Sequence, residues 1–174
     1  GVTDPVGMIS DAEAIFVGGG NTFKLLNTLH ETGILPVLRK RVEEGMPYMG
    51  ASAGSIITMQ SAATTNDMPI VPAMVPQLLC LHFFPFGLNP HYQEKNPGDP
   101  HQGEDRTLRI QQYHELQADR PVIGLFEGAG LQSLHGDLRL VGSPERQAVM
   151  FRAGETPVDL AHNQNLTDLI LPVH

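Results

Sequence analysis

Met46-Pro-Tyr-Met-Gly-Ala-Ser-Ala-Gly-Ser-Ile56 reads as a short apolar strand, a turn of small residues and the start of a helix. The turn itself, Gly50-Ala-Ser-Ala-Gly54, has the G-x-S-x-G spacing of a nucleophile elbow, in which small neighbours let a serine sit on a sharp strand-to-helix turn. That turn exposes the serine oxygen. It also aims the N–H of the next residue, Ala53, at a developing oxyanion, and the helix that follows adds its positive end. A glycine-rich turn around an inert serine has the same composition, so the pentapeptide alone makes Ser52 a candidate and no more.

Outward from the elbow, the chain alternates strands and helices. Ala14-Ile-Phe-Val17 predicts a buried strand running into Gly18-Gly-Gly20, and Asn21 or Thr22 can cap a helix that stops near Gly33. A second helix is expected from Pro36 to Gly45, and a third from Ala53 through Met59. The stretch from Thr64 to Pro100 is rich in Pro and Asn, as long functional loops are. Gly103-Glu-Asp105 should open a helix through Tyr113, and Val122–Leu125 a buried strand. Gly130–Gly136, Leu138–Val141 and Ala148–Phe151 read as antiparallel ribbons. The expected fold is one α/β domain over residues 1–174, a mostly parallel sheet flanked by helices with an antiparallel C-terminal edge. Active sites in such sheets lie at the carboxyl ends of strands.

Composition narrows the function. Asp and Glu number 19 against 11 Lys plus Arg, a net charge of -8. A nucleic-acid binder needs clustered positive charge, so that class is set aside, and an acidic ligand would need local cations. Cys80 is the only cysteine, which rules out an internal disulfide and suggests a reducing, cytoplasmic setting. No apolar run approaches a bilayer span, no His/Cys/Glu spacing suggests a metal, and no cofactor is expected. Because the chain opens at Gly1 and not Met, its natural start is left open.

Gly18-Gly-Gly-Asn21 forms a second strand-to-helix turn, able to turn N–H groups toward an anion. A dinucleotide fingerprint would need glycine where Phe23 stands, and a P-loop would need a Lys-Ser/Thr pair that is absent. A serine nucleophile needs a base, normally His. Of the eight histidines, His30 and His114 fall on helix surfaces, His135 in a hairpin turn, His162 and His174 in the tail, and His82 in a core stretch. His91 and His101 are left, and spacing does not choose between them. Glu127 and Asp67 compete as the carboxylate that would orient the base. Arg106 and Arg109 could capture a substrate carboxylate, although helix arginines are commonly only solvated. Asn165-Leu-Thr167 matches a glycosylation acceptor by coincidence.

Val17-Gly-Gly-Gly-Asn-Thr-Phe23, Gly50-Ala-Ser-Ala-Gly54, Thr64-Thr-Asn-Asp-Met-Pro-Ile-Val71, Asn89-Pro-His91 and Val122-Ile-Gly-Leu-Phe-Glu-Gly128 follow the order seen in the peptidase E family. The chain resembles those aspartyl dipeptidases, serine peptidases related to class I glutamine amidotransferases, over nearly its whole length. The resemblance implies a Ser52–His91–Glu127 triad and an oxyanion hole from the N–H groups of Gly20 and Ala53. It also implies that Arg106 faces the substrate's aspartyl carboxylate. By charge, Asp67 would then meet the α-ammonium, with Asn21 also on the substrate side. Family members carry further βα units ahead of the first strand here, so a sheet edge or face should stand uncovered. A second copy of the chain, in a homodimer, is one way to cover it. Two other readings follow from the same residues: a hydrolase of β-aspartyl or cyanophycin-like substrates, and a catalytically silent binding or assembly domain.

Overall fold

Two parallel strands, β1 (Ile15–Val17) and β2 (Tyr48–Gly50), carry the glycine-rich turns at their carboxyl ends and pair Ile15 with Tyr48 and Val17 with Gly50. A computed structural model describes residues 3–68, 78–94, 105–145 and 147–169. The chain divides into two units, Gly1–Phe83 and Phe84–His174.

In the first unit, α1 (Pro5–Asp11) precedes β1, and α2 (Thr22–Glu31) and α3 (Ile34–Glu43) connect β1 to β2. Asn21 caps α2 through Lys24 N, and Gly33, at φ 69°, turns the chain into α3. Pro36 falls in the first turn of α3, where no helical N–H is lost. Leu26, Leu29, Leu38, Ile56, Ile57 and Leu81 pack the core. Cys80 lies within it, and burial pushes its thiol up to about 12, so it stays protonated at neutral pH. The opposite face of the strand pair carries Phe16 and Met49, register partners that are 64% and 67% exposed.

Helix α4 (Ala53–Ile56) is shorter than the stretch to Met59 predicted from sequence. The reason is competition for carbonyls. Leu81 N donates to Ile57 O and Phe83 N to Thr58 O, both at 2.8 Å, while Cys80 N takes Gln60 O. A helix to Met59 would use Gly54 O and Ser55 O, but Tyr48 Oη takes the first at 2.6 Å and Thr58 Oγ1 the second at 2.7 Å. Thr58 N and Met59 N therefore bond three residues back, and residues 80–83 pair with the carbonyls that follow. The same pairing corrects the reading of His82 as a core residue. His82 N donates to Met59 O with φ at 56°, and the side chain is exposed while Leu81 beside it is fully buried.

The second unit holds a sheet ordered β3 (Gly87–Pro90), β4 (Val122–Leu125), β7 (Ala148–Phe151) and β8 (Val158–Leu160). Strand β3 runs parallel to β4, and the remaining pairs of that sheet are antiparallel. Strands β5 (Ala129–Leu134) and β6 (Asp137–Gly142) form a hairpin with His135 in its turn at φ 51°. Helix α5 (Arg106–Leu116) is capped by Asp105 through Leu108 N. Parallel pairing is therefore limited, among the described residues, to β1–β2 and β3–β4. The β5–β6 and β7–β8 pairs are joined by connections too short for a parallel crossover. The architecture is mixed α/β, with parallel pairs and helices as expected. The first two residues of Gly103-Glu-Asp105, together with His101, His174, Pro69-Ile-Val71 and Pro100, lie outside the described residues. No described helix is long and apolar enough to cross a membrane.

Candidate active site

At the end of β2 the backbone reverses sharply. Ala51 N still pairs with Val17 O at 2.9 Å, but Ser52 takes φ 54° and ψ −114° before α4 begins. An L-residue held there costs about 1–3 kcal/mol, and such strain concentrates at functional sites. Ser52 is the N-cap residue of α4, yet its side chain makes no capping bond. The hydroxyl is thus held at a helix N-terminus without being spent on it. A Cβ on Gly19 would lie 3.1 Å from Ser52 Cβ and 3.5 Å from its Oγ, so the loop after β1 passes directly against the serine. Gly20 has φ 142°, and among the described residues neither its N–H nor that of Ala53 donates to a protein acceptor.

The small residues around Ser52 are required by backbone approach. A Cβ on Gly50 would strike Gly54 O, and one on Gly54 would strike Val17 O and stand 3.0 Å from Val17 Cβ. Tyr48 Oη, whose ionisation burial opposes, donates to Gly54 O at 2.6 Å and ties the far side of the turn. Gly54→Ala should therefore destabilise the protein by about 2–3 kcal/mol through overpacking. Urea denaturation would register this as a lower midpoint at unchanged slope, and an unchanged midpoint would contradict it.

In the second unit, His91 follows β3 and Glu127 follows β4 by one residue. Because the strands are parallel and Pro90 pairs with Leu125, both side chains emerge at the same end of the sheet. His91 Nδ1 is hydrogen-bonded to Glu127 Oε1. With Nδ1–H donating to the carboxylate, Nε2 is the ring's acceptor, the tautomer a general base needs. The neighbours hold this pair. His91 has φ 57°, and Tyr92 N donates to Leu125 O at 2.8 Å. The Tyr92 ring is buried against Phe126 and Phe151 and over Gly124, where a Cβ would meet the ring at 2.7 Å.

The pattern of peptidase family S51 matches residues 2–141. Peptidase E of Streptomyces coelicolor is 45% identical over 167 residues, 96% of this chain and 67% of that protein. Peptidase E of Shewanella denitrificans is 44% identical over 168 residues, 69% of its length. The chain belongs to peptidase family S51. The Drosophila melanogaster protein named "Probable alpha-aspartyl dipeptidase" is 40% identical over 166 residues, 93% of this chain and 66% of its own. A solved peptidase from an acI-B1 actinobacterium shares the fold, with a TM-score of 0.63 at 18% identity. This S51 chain spans 62% of that solved chain and covers 92% of itself in the match.

The remaining candidates of the S51 chain have definite partners. Asn21 uses both ends of its amide, accepting from Lys24 N at 3.0 Å and donating to Met68 O at 2.8 Å. Asp67 Oδ2 accepts from Thr22 N at 2.6 Å, so segment 65–68 hangs on the start of α2 beside Gly20. Arg106 Nη1 donates to Pro90 O at 2.9 Å and to buried Asn89 Oδ1 at 3.4 Å, joining α5 to the end of β3. Sequence reasoning passed over Tyr92 and the strand before it. Gly87-Leu-Asn-Pro90 carries no strand signal except that Pro is tolerated on an edge strand, and β3 stands at the end of its sheet.

Proposed function

We propose that this chain hydrolyses dipeptides with an N-terminal aspartate through an acyl-enzyme on Ser52. The observation that carries the reading is the strained Ser52 backbone, which leaves the hydroxyl uncapped against the Gly18–Gly20 loop. Ser52 Oγ attacks the scissile carbonyl as His91 Nε2 takes its proton, and His91 later returns that proton to the leaving amine. Glu127 holds the imidazole through Nδ1, and the N–H groups of Gly20 and Ala53 receive the oxyanion. Both units form one catalytic domain of the class I glutamine amidotransferase-like type, in a cytoplasmic setting.

The substrate class rests on the named relative from Drosophila together with a cation suited to carboxylates. Arg106 recognises the aspartyl carboxylate, while Asp67 and Asn21 line the side that meets the α-ammonium. The test is a panel of aspartyl, alanyl and β-aspartyl anilides or dipeptides. Preference for the α-aspartyl members is expected, and a preference for β-aspartyl ones would overturn the substrate assignment.

Arg106→Leu should lower kcat/KM for aspartyl substrates about a hundredfold and for neutral ones about tenfold or less. The smaller loss reflects the hold on Pro90 O, which every substrate needs. Equal losses on both would assign Arg106 to the strand end alone.

A further inference from the structure

Glu127 stands second in a turn closed by Ala129 N donating to Phe126 O at 3.2 Å, with Gly128 third at φ 80°. Its side chain is 71% exposed, so packing does little to aim it. The residues on either side are pinned instead. Phe126 N donates to Gln147 O at 3.0 Å, and Gly128 O accepts from Ser143 N at 3.0 Å. Gln147 Nε2 in turn donates to Ser143 O, and to His162 Nδ1 at 2.9 Å. A ring of hydrogen bonds thus runs from Phe126 through Gln147 and Ser143 to Gly128, with Glu127 at its open end. Gly142, at φ 113°, lets the backbone press in from the other side, where a Cβ would strike Gly128 O.

Gln147 is fully buried, and among the described residues its Oε1 has no partner. An apolar residue of similar size would fill that space without an unsatisfied acceptor. What it could not do is hold Ser143 O. We propose that Gln147 is a positioning residue: its amide closes the 143–147 connection so that the turn presents the Glu127 carboxylate to His91. This rests on the role given to Glu127 above.

The test compares Gln147→Met and Gln147→Leu with the wild type, each also in a Glu127→Gln background. We expect folded variants whose kcat on an aspartyl anilide falls roughly ten- to a hundredfold, as for a misplaced catalytic group, with KM within about twofold. The low-field proton resonance of His91 Nδ1–H should broaden or vanish. In the Glu127→Gln background the same substitutions should cost nothing further, because the group they position is gone. Wild-type kcat, an unchanged resonance, or an equal loss without the Glu127 carboxylate would each overturn the proposal. So would failure of both variants to fold, which would make Gln147 a determinant of the fold alone. If the wild type cleaves no aspartyl substrate, the functional reading fails, and the resonance still decides the role of Gln147.

Discussion

Ser52→Ala lowers kcat on an aspartyl anilide by roughly a million-fold, the scale seen when a serine nucleophile is removed from an intact triad. The fold should survive the change. Ser52 Oγ caps nothing, and alanine keeps the Cβ that faces Gly19, so no hydrogen bond or contact of the turn is lost. The strain at φ 54° persists as well, because it belongs to the backbone and not to the hydroxyl. Thermal unfolding of the variant should match the wild type within a degree or so of experimental scatter. Labelling by a fluorophosphonate should vanish with activity. An active or still-labelled Ser52→Ala protein would place the nucleophile elsewhere.

Glu127→Gln should reduce kcat by about ten-thousandfold, the loss expected when the group orienting a catalytic histidine can no longer accept its Nδ1 proton. A glutamine amide can turn its NH2 toward Nδ1 and favour the tautomer with the proton on Nε2, where the base must be free. Little stability is at stake, since the Glu127 side chain is 71% exposed and an exposed polar pair contributes at most about 1 kcal/mol. Activity and melting temperature should therefore separate cleanly. A loss under tenfold would show that Glu127 is not the orienting carboxylate, and Asp67→Asn would then be the next variant to assay.

The elbow was legible because its determinants are local. Gly50, Ser52 and Gly54 lie within five residues, and the glycines are needed where Gly50 meets Gly54 O and Gly54 meets Val17 O. The helix starts were legible too, though not the capping residue itself: Asn21, one of two candidates for α2, and Asp105, last of the Gly103–Asp105 opening of α5, each bond an N–H three residues on. Helix α1 was overlooked although Asp4-Pro5 signals it, with Asp4 accepting from Gly7 N and Pro5 in the first turn. The end of α4 was not legible, because it depends on where Tyr48 and Thr58 place their hydroxyls, on Gly54 O and Ser55 O. His82 misled for a tertiary reason of its own. Apolar neighbours predict burial, while the backbone pairing of that segment turned the imidazole outward.

The sequence by itself determined the strand–turn–helix at Ser52, the glycine loop before it and the capped helices, since each depends on contacts within a few residues. Its motif order also pointed to the S51 family and so to His91 and Glu127. Spacing alone could not choose His91 over His101, or Glu127 over Asp67. Only the tertiary structure paired His91 with Glu127. They are 36 residues apart, and they meet because β3 lies parallel to β4 in a register that brings both strand ends to one edge. Parallel strands are joined by a long crossover, so no tight turn fixes the register of β3 on β4 in the local sequence. The elbow marks Ser52 from within its own five residues; its proposed partners, His91 and Glu127, were named by motif order, and only folding brings those two together.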